Sequence, residues 1–215
     1  MCAIFGSKNK DKFLELAELN QYRGNFAHSI TVFQTGAFKH YRDGEKFVCI
    51  TTNRGSGDFK DTIAMSEDEY KITYYLGHVQ APTTDSPEMH PSNINDKLLW
   101  HNGIIKNYQV EEWREEYGKK EWDTELLHRH ILLGGKLDDV DGTFSCARYN
   151  KEDILLFRNE ISPLFYDTHL NISSTKFDDA VDTEAGVMYK MLLHNKILEP
   201  LYRFETKENP YYFGE

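Results

Sequence analysis

Cysteine is scarce in this sequence: three in 215 residues, at positions 2, 49 and 146. Three thiols cannot supply the disulfide framework that staples small secreted domains, and their spacing matches no zinc-binding pattern. Long apolar runs are missing as well. No stretch approaches the ~20 apolar residues needed to span a bilayer, and residues 1–20 hold no signal-peptide core, because Lys8, Lys10, Asp11 and Lys12 interrupt them. The expectation is a cytoplasmic protein with no membrane partner. Cations are outnumbered, 25 Lys and Arg against 35 Asp and Glu, for a formal net charge of -10. Non-specific grip on a phosphate backbone relies on Lys and Arg, so nucleic acid is not the expected partner. Internal repeats, low-complexity tracts and linkers are also absent.

Aromatic residues, by contrast, are plentiful: 13 Phe, 13 Tyr and 3 Trp, within a hydrophobic content of 40%. Large aromatics dominate core energetics when buried, and a chain of this length fits one domain spanning 1–215. After a strand in "CAIFG", "DKFLELAEL" carries apolar residues at helical spacing with Asp11 as N-cap. "HSITVFQTG", "EKFVCITT", "KITYYLGHV" and "KLLWHNG" read as strands, and residues 54–70 as a polar surface loop. Two helices follow, "NYQVEEWREEYG" ending at Gly118 and "DTELLHRHILLGG" ending at Gly134. From 143 onward, "TFSCARYN", "DILLFRN", "PLFYD", "LNISST", "VMYKMLL" and "ILEPLYRFE" read as antiparallel strands joined by tight turns. Helices covering sheet faces make the class α+β with layered sheets. Cys49 and Cys146 sit in strand-like runs and read as small buried hydrophobes.

Chemistry concentrates at two places. In "MCAIFG" a cysteine follows the initiator methionine, so removal of Met1 leaves Cys2 carrying both a thiol and a free α-amine. The amine titrates near ~7.7–8.0 and is partly neutral at physiological pH, so one residue can supply nucleophile and base together. On position alone, burial in an edge strand explains Cys2 as well. In "WHNGIIKNY", the Asn102 amide beside the Gly103 N–H offers two neutral donors converging on one point. Such an oxyanion hole is worth roughly 10²–10³ in rate per donor; an ordinary Asn-Gly turn is the alternative.

Five segments occur together in order: "MCAIFG", "QYRG" at 21–24, "GHVQAPT" at 77–83, "HNGIIKNY" at 101–108 and "DTELLHRH" at 123–130. In this they resemble the class II glutamine amidotransferase (glutaminase) domain, and the similarity continues through "GTFSCARYN", "LLFRNEISPLFY" and "LNISSTKF". The resemblance implies a four-layer αββα sandwich of antiparallel sheets, the N-terminal-nucleophile (Ntn) hydrolase fold. It implies that Cys2 attacks the side-chain amide of glutamine, forms a γ-glutamyl thioester with release of ammonia, and is freed by water to give glutamate. Asn102 and Gly103 match the oxyanion donors. Arg23 matches an arginine near the catalytic terminus, Asp123 the carboxylate that binds the substrate α-ammonium, and Thr83 a threonine near the substrate carboxylate. Asp123 is also a credible helix N-cap, with Trp122 and Leu127 as a hydrophobic staple.

One position departs from the family pattern "GH-x-R". Gln80 stands where an arginine grips the α-carboxylate of glutamine, and an amide lacks the charge and bidentate fork of guanidinium. Such a loss costs about 1.5–3 kcal/mol, or roughly ten- to a hundredfold in binding. Gln80→Arg is then expected to lower the glutamine KM. No fused synthase domain is expected, and the acceptor of the ammonia is expected to be a separate subunit. An amidohydrolase acting on another amide and a catalytically silent partner-binding module remain as alternatives. No cofactor is called for, and no metal: His128 and His130 are two apart on a helix and project differently, while Asp138, Asp139 and Asp141 fit a turn as well as a cation site.

Overall fold

A computed structural model of the chain describes residues 2–24, 26–36, 46–56, 74–81, 88–118, 122–193 and 195–207. Met1, Thr83, the side chain of Cys49 and most of the 54–70 segment lie outside the described residues. The strands in chain order are β1 (Ala3–Ser7), β2 (Ala27–Gly36), β3 (Lys46–Gly55), β4 (Tyr74–Gln80), β5 (Ser92–Ile94), β6 (Lys97–Ile105) and β7 (Gly142–Tyr149). They continue with β8 (Ile154–Arg158), β9 (Phe165–Tyr166), β10 (Ile172–Ser173), β11 (Val181–Asp182), β12 (Val187–Leu192) and β13 (Ile197–Arg203). Among the described residues, α-helices α1 (Lys10–Asn20), α2 (Asn107–Tyr117) and α3 (Asp123–Leu132) accompany them. None of the described helices is long and apolar enough to cross a membrane.

Two antiparallel sheets result. The first has the order β11-β9-β10-β1-β4-β2-β3 and the second β13-β12-β8-β7-β6-β5. Side chains alternate across each strand, and in the central strands β1, β4 and β8 both faces are buried. Ile4, Leu76, Leu98, Trp100, Ala147 and Leu156 point between the sheets. Their neighbours in sequence point outward: Ala3, Phe5, Tyr75 and Val79 meet α1 through Phe13 and Leu16, while Leu99, Phe144 and Leu155 meet α2 and α3 through Trp113, Leu126 and Leu127. Helix, sheet, sheet, helix is the four-layer αββα arrangement. It explains why "KLLWHNG" and "YYLGHV" read as continuous apolar runs, since β6 and β4 are covered on both faces. Each fully buried large side chain contributes about 1.5–3 kcal/mol.

Helix ends follow local chemistry. The α1 N-cap is Asn9, whose side chain accepts the Lys12 N–H, and Asp11 lies inside the first turn. The structure thus moves the cap back from Asp11 to a residue whose extended backbone aims its oxygen at the free amides. Gly118 ends α2 with φ 63 and ψ 30, the left-handed conformation expected for it. For α3 the capping position falls on Trp122, which makes no side-chain cap bond; Asp123 is the first helical residue and not the N-cap. The strands expected in "PLFYD" and "LNISST" shrink to two residues each, and β11 had no signal in the sequence.

Candidate active site

Toward one end of the inner layer the apolar side chains give way to polar ones. Cys2 immediately precedes β1 and is buried, and one residue beyond the Ala3–Val79 pair it falls opposite Gln80. Its carbonyl accepts the Arg23 Nε–H at 3.0 Å, so Arg23, at the end of the short 3-10 turn Gln21–Arg23 that follows α1, clamps the backbone of the nucleophile candidate. The glycine next to it is a matter of space: a Cβ at Gly24 would lie 2.5 Å from the Gln80 carbonyl carbon and 2.7 Å from the Ala81 nitrogen. The Gln80 C=O accepts the Phe26 N–H at 3.0 Å. A trans peptide points its N–H the opposite way, and the Ala81 N–H accordingly bonds the Cys2 thiol. "QYRG" thus acts through its last two residues on the position and environment of Cys2.

Burial has the largest effect on that thiol and raises its pKa; the Ala81 N–H and the Arg23 charge lower it, and the Asp123 charge raises it. The net direction is upward, so Cys2 rests as a protonated thiol and needs a base to act as a nucleophile. Cys146, also free, is fully buried among the helix-side apolar residues, with its pKa pushed well up by burial. It fits the small buried hydrophobe expected of it.

Asn102 sits on β6 facing the inner layer, two residues beyond Trp100. Its Nδ2 lies 3.3 Å from both the Ser145 and the Ser174 hydroxyls. Ser174 in turn accepts the Ile4 N–H on Oγ at 3.0 Å and donates its own N–H to the Ile4 carbonyl at 2.8 Å. One serine therefore ties the strand that carries Cys2 to the amide of Asn102. The next residue, Gly103, stays in register opposite Phe144 but with φ 152, and a Cβ there would meet the Thr143 carbonyl oxygen at 1.9 Å. Its partner Phe144 gives both N–H and C=O to Asn159. The Thr143 carbonyl goes to His101 Nε2 and the Thr143 hydroxyl to the Ile104 N–H. No other residue fits the Gly103 backbone.

Asp123 reaches the same place from α3. Its carboxylate accepts the Thr124 N–H at 2.8 Å and the Ile105 N–H at 3.4 Å, and stands 4.0 Å from His101 Nδ1. The positive end of a helix N-terminus favours a carboxylate there, and its effect on the Cys2 thiol places both in one electrostatic environment. Gln80 is buried on the inner side of β4 with both ends of its amide engaged: Nε2 donates to the Glu88 carbonyl at 2.9 Å, and Oε1 accepts the His90 N–H at 3.2 Å. The structure brings Cys2, Arg23, Gln80, Asn102, Gly103 and Asp123 together, while Thr83 falls outside the described residues.

Ser174, Ser145 and Ala81 belong to this arrangement without having been singled out from the sequence; the unusual Ser-Ser pair closing "LNISS" was the one available signal. Elsewhere, Asp141 pairs with Lys106 Nζ at 3.2 Å and accepts from the Tyr108 hydroxyl, and Asp138 accepts the Glu205 N–H at 2.9 Å. These acids knit a turn. His128 bonds Ser92 and His130 stacks on Trp113. Among the described residues no group of three or more His, Cys, Asp or Glu is placed to hold a metal ion.

No protein-family model matches the chain. The glutamine–fructose-6-phosphate aminotransferases of two strains of Xylella fastidiosa are each 26% identical to it over 162 residues, covering 68% of this chain and 24% of theirs. The chain thus spans about a quarter of the length of the curated relatives it matches. Among solved structures, the glutamine phosphoribosylpyrophosphate amidotransferase of B. subtilis superposes with a TM-score of 0.70 at 19% identity, over 97% of this chain and 50% of that one. A structure described as the allosteric regulatory enzyme of purine biosynthesis gives 0.70 at 18% identity, over 96% and 50%. A glutamine aminotransferase class-II domain protein from Silicibacter pomeroyi gives 0.52 at 12% identity, over 95% and 99%. These structures share the α+β fold of two antiparallel sheets seen here, the Ntn-hydrolase fold.

Proposed function

We propose, from the likeness of this chain in sequence and fold to class II glutamine amidotransferase domains, that it hydrolyses the side-chain amide of glutamine through Cys2. The observation that carries the reading is the junction just described: a buried thiol at the head of β1, bonded to the Ala81 N–H and tied through Ile4 and Ser174 to the Asn102 amide. With Met1 removed, the Cys2 α-amine takes the thiol proton. Sulfur attacks the amide carbon, and the developing oxyanion is met by Asn102 Nδ2 and the Gly103 N–H. Collapse expels the amide nitrogen, which takes the proton from the α-amine and leaves as ammonia; a γ-glutamyl thioester remains. Water then cleaves the thioester, giving glutamate and the free thiol. Preorganised donors stabilise charge that appears only in the transition state, so their contribution falls on kcat.

To donate to an oxyanion, Asn102 Nδ2 exchanges one of its long hydroxyl contacts for the substrate. Asp123 is the group proposed to receive the substrate α-ammonium. The ammonia would pass to an acceptor protein or domain, since transfer to a second substrate needs a further active site. A second reading is an amidohydrolase of the same chemistry on a different amide, and it is favoured by the lack of a cation at position 80.

The test joins three measurements on the purified chain. Intact mass should show a chain beginning at Cys2. Glutamate release from glutamine should vanish in Cys2→Ala while the circular dichroism spectrum is kept. The glutamine-like electrophile 6-diazo-5-oxonorleucine should label Cys2 by peptide mapping. Wild-type turnover in the alanine variant, or an adduct on Cys49 or Cys146, would sink the mechanism. A panel of amides decides the second reading, by whichever substrate gives the higher kcat/KM.

A further inference from the structure

Behind Asn102 lies a feature that the chemistry above does not use. The carbonyl of His101, the residue before Asn102, accepts two ring N–H groups from two separate segments: His78 Nε2 at 3.2 Å from β4, and His90 Nε2 at 3.1 Å from the segment before β5. The two imidazoles stack with centroids 3.8 Å apart and an interplanar angle of 25°, and His90 leans on Trp122 at 4.4 Å. Both rings are buried.

Because each Nε2 faces a carbonyl, each must carry the proton, which leaves Nδ1 as a bare lone pair. Both Nδ1 atoms are buried and have no hydrogen-bond partner among the described residues, which fits a neutral Nε2–H tautomer, since a bare lone pair is less costly to leave unpaired than an N–H. The same logic fixes the third ring. His101 Nε2 donates to the Thr143 carbonyl at 3.2 Å, so its Nδ1 accepts, and Thr124 Oγ1 at 3.2 Å is the donor. The Gln80 amide holds the His90 N–H, and Arg54 holds the His90 carbonyl at 3.2 Å and the Pro91 carbonyl at 2.8 Å. The segment carrying His90 is therefore fixed from two directions.

Fold stability alone could be met more simply by apolar packing. Two donors spent on one carbonyl, adjoining the residues that must face an oxyanion, have a sharper consequence: they fix the plane of the His101–Asn102 peptide, and hence where the Asn102 amide and the Gly103 N–H point.

We propose that His78 and His90 are positioning residues, which set the oxyanion donors Asn102 and Gly103 by holding the His101 carbonyl between them. The proposal rests on the amide-hydrolysis reading of the site. Its test uses the geometry of the donor: glutamine carries its amide nitrogen about where histidine carries Nε2, whereas leucine fills the volume with no donor. His78→Leu and His90→Leu should each lower kcat for glutamine roughly tenfold or more while KM changes less than about threefold, because misplacement of transition-state donors leaves ground-state binding intact. His78→Gln and His90→Gln should recover most of the loss. Alkylation of Cys2 by iodoacetamide, which needs no oxyanion donor, should be unchanged in all four. In nitrogen-15 NMR, the Gly103 amide and Asn102 side-chain signals should shift in the leucine variants and much less in the glutamine variants. Leucine variants with wild-type kcat, or glutamine variants as impaired as leucine ones, overturn the proposal. If the wild-type chain releases no glutamate, the amide-hydrolysis reading fails instead, and the NMR comparison still decides whether the two rings position these donors.

Discussion

Single side chains tune the state of the candidate nucleophile. The Cys2 thiol is raised chiefly by burial, and Asp123 pushes in the same direction while Arg23 opposes it. Asp123→Asn is therefore expected to lower the midpoint of Cys2 alkylation against pH, and Arg23→Gln to raise it; opposite signs would show that these charges do not reach the thiol. Gln80 offers a second residue-scale test. The comparison of charges expects Gln80→Arg to lower the glutamine KM, but the Gln80 amide is occupied by the Glu88 carbonyl and the His90 N–H. Guanidinium cannot accept, so the substitution orphans a buried N–H at a cost of about 1–3 kcal/mol. We expect a lower urea midpoint and no fall in KM; a fall of tenfold would show that position 80 faces the substrate. What the sequence disclosed at this scale were residues with a chemical reason to stand in a motif, Cys2, Asn102 and Gly103 above all. Ser174, His78 and His90 stayed hidden because their roles come from contacts between strands far apart in the chain, which no local spacing records.

At the scale of elements, legibility followed the range of the interactions. Strand runs and the end of α2 at Gly118 were plain because alternation and left-handed backbone are local properties. Caps were shifted, to Asn9 for α1 and to Trp122 for α3, because several nearby polar residues could serve and the turn geometry selects among them. Asp123 shows why a plausible cap was misread: at the first helical position its carboxylate is turned toward the Ile105 N–H and the site. Gly118 gives a clean test of backbone cost. Among the described residues a Cβ there meets nothing within 4 Å while φ is 63, so Gly118→Ala should lose only the conformational term, about 1 kcal/mol. Urea unfolding should show that loss with glutamate release unchanged. A loss near zero would mean that the end of α2 relaxes out of the left-handed conformation.

Across the whole molecule, the buried imidazoles link stability to pH. Burial is the main cause that lowers His78 to about 3 and His128 to about 3, and it takes His90 well below the ordinary value of 6.5. Neighbouring rings add to the effect at His78 and His90, and Arg148, Lys97 and Arg129 add to it at His128. The sign follows from proton counts. In the unfolded chain these rings bind protons below about pH 6.5, whereas in the folded chain they stay neutral, so the unfolded state takes up more protons and gains ground as pH falls. Stability from these groups is complete well above pH 6.5 and declines as pH drops toward 3. Between pH 6.5 and 5 most carboxylates are still ionised, so the histidines dominate the slope there, at roughly 1 kcal/mol per pH unit for each ring that stays neutral. The stacked His78–His90 pair should titrate as a unit. Urea midpoints measured at pH 7.5, 6.5, 5.8 and 5.0 should fall slightly across the first interval and more steeply across the rest. His128→Gln, which removes one such ring from outside the candidate site, should be less stable at pH 7.5 yet show a shallower fall. A wild-type midpoint that stays flat down to pH 5 would mean that the inner and helix-side layers admit protonated imidazole, and the tautomers assigned to His78 and His90 would lose their support.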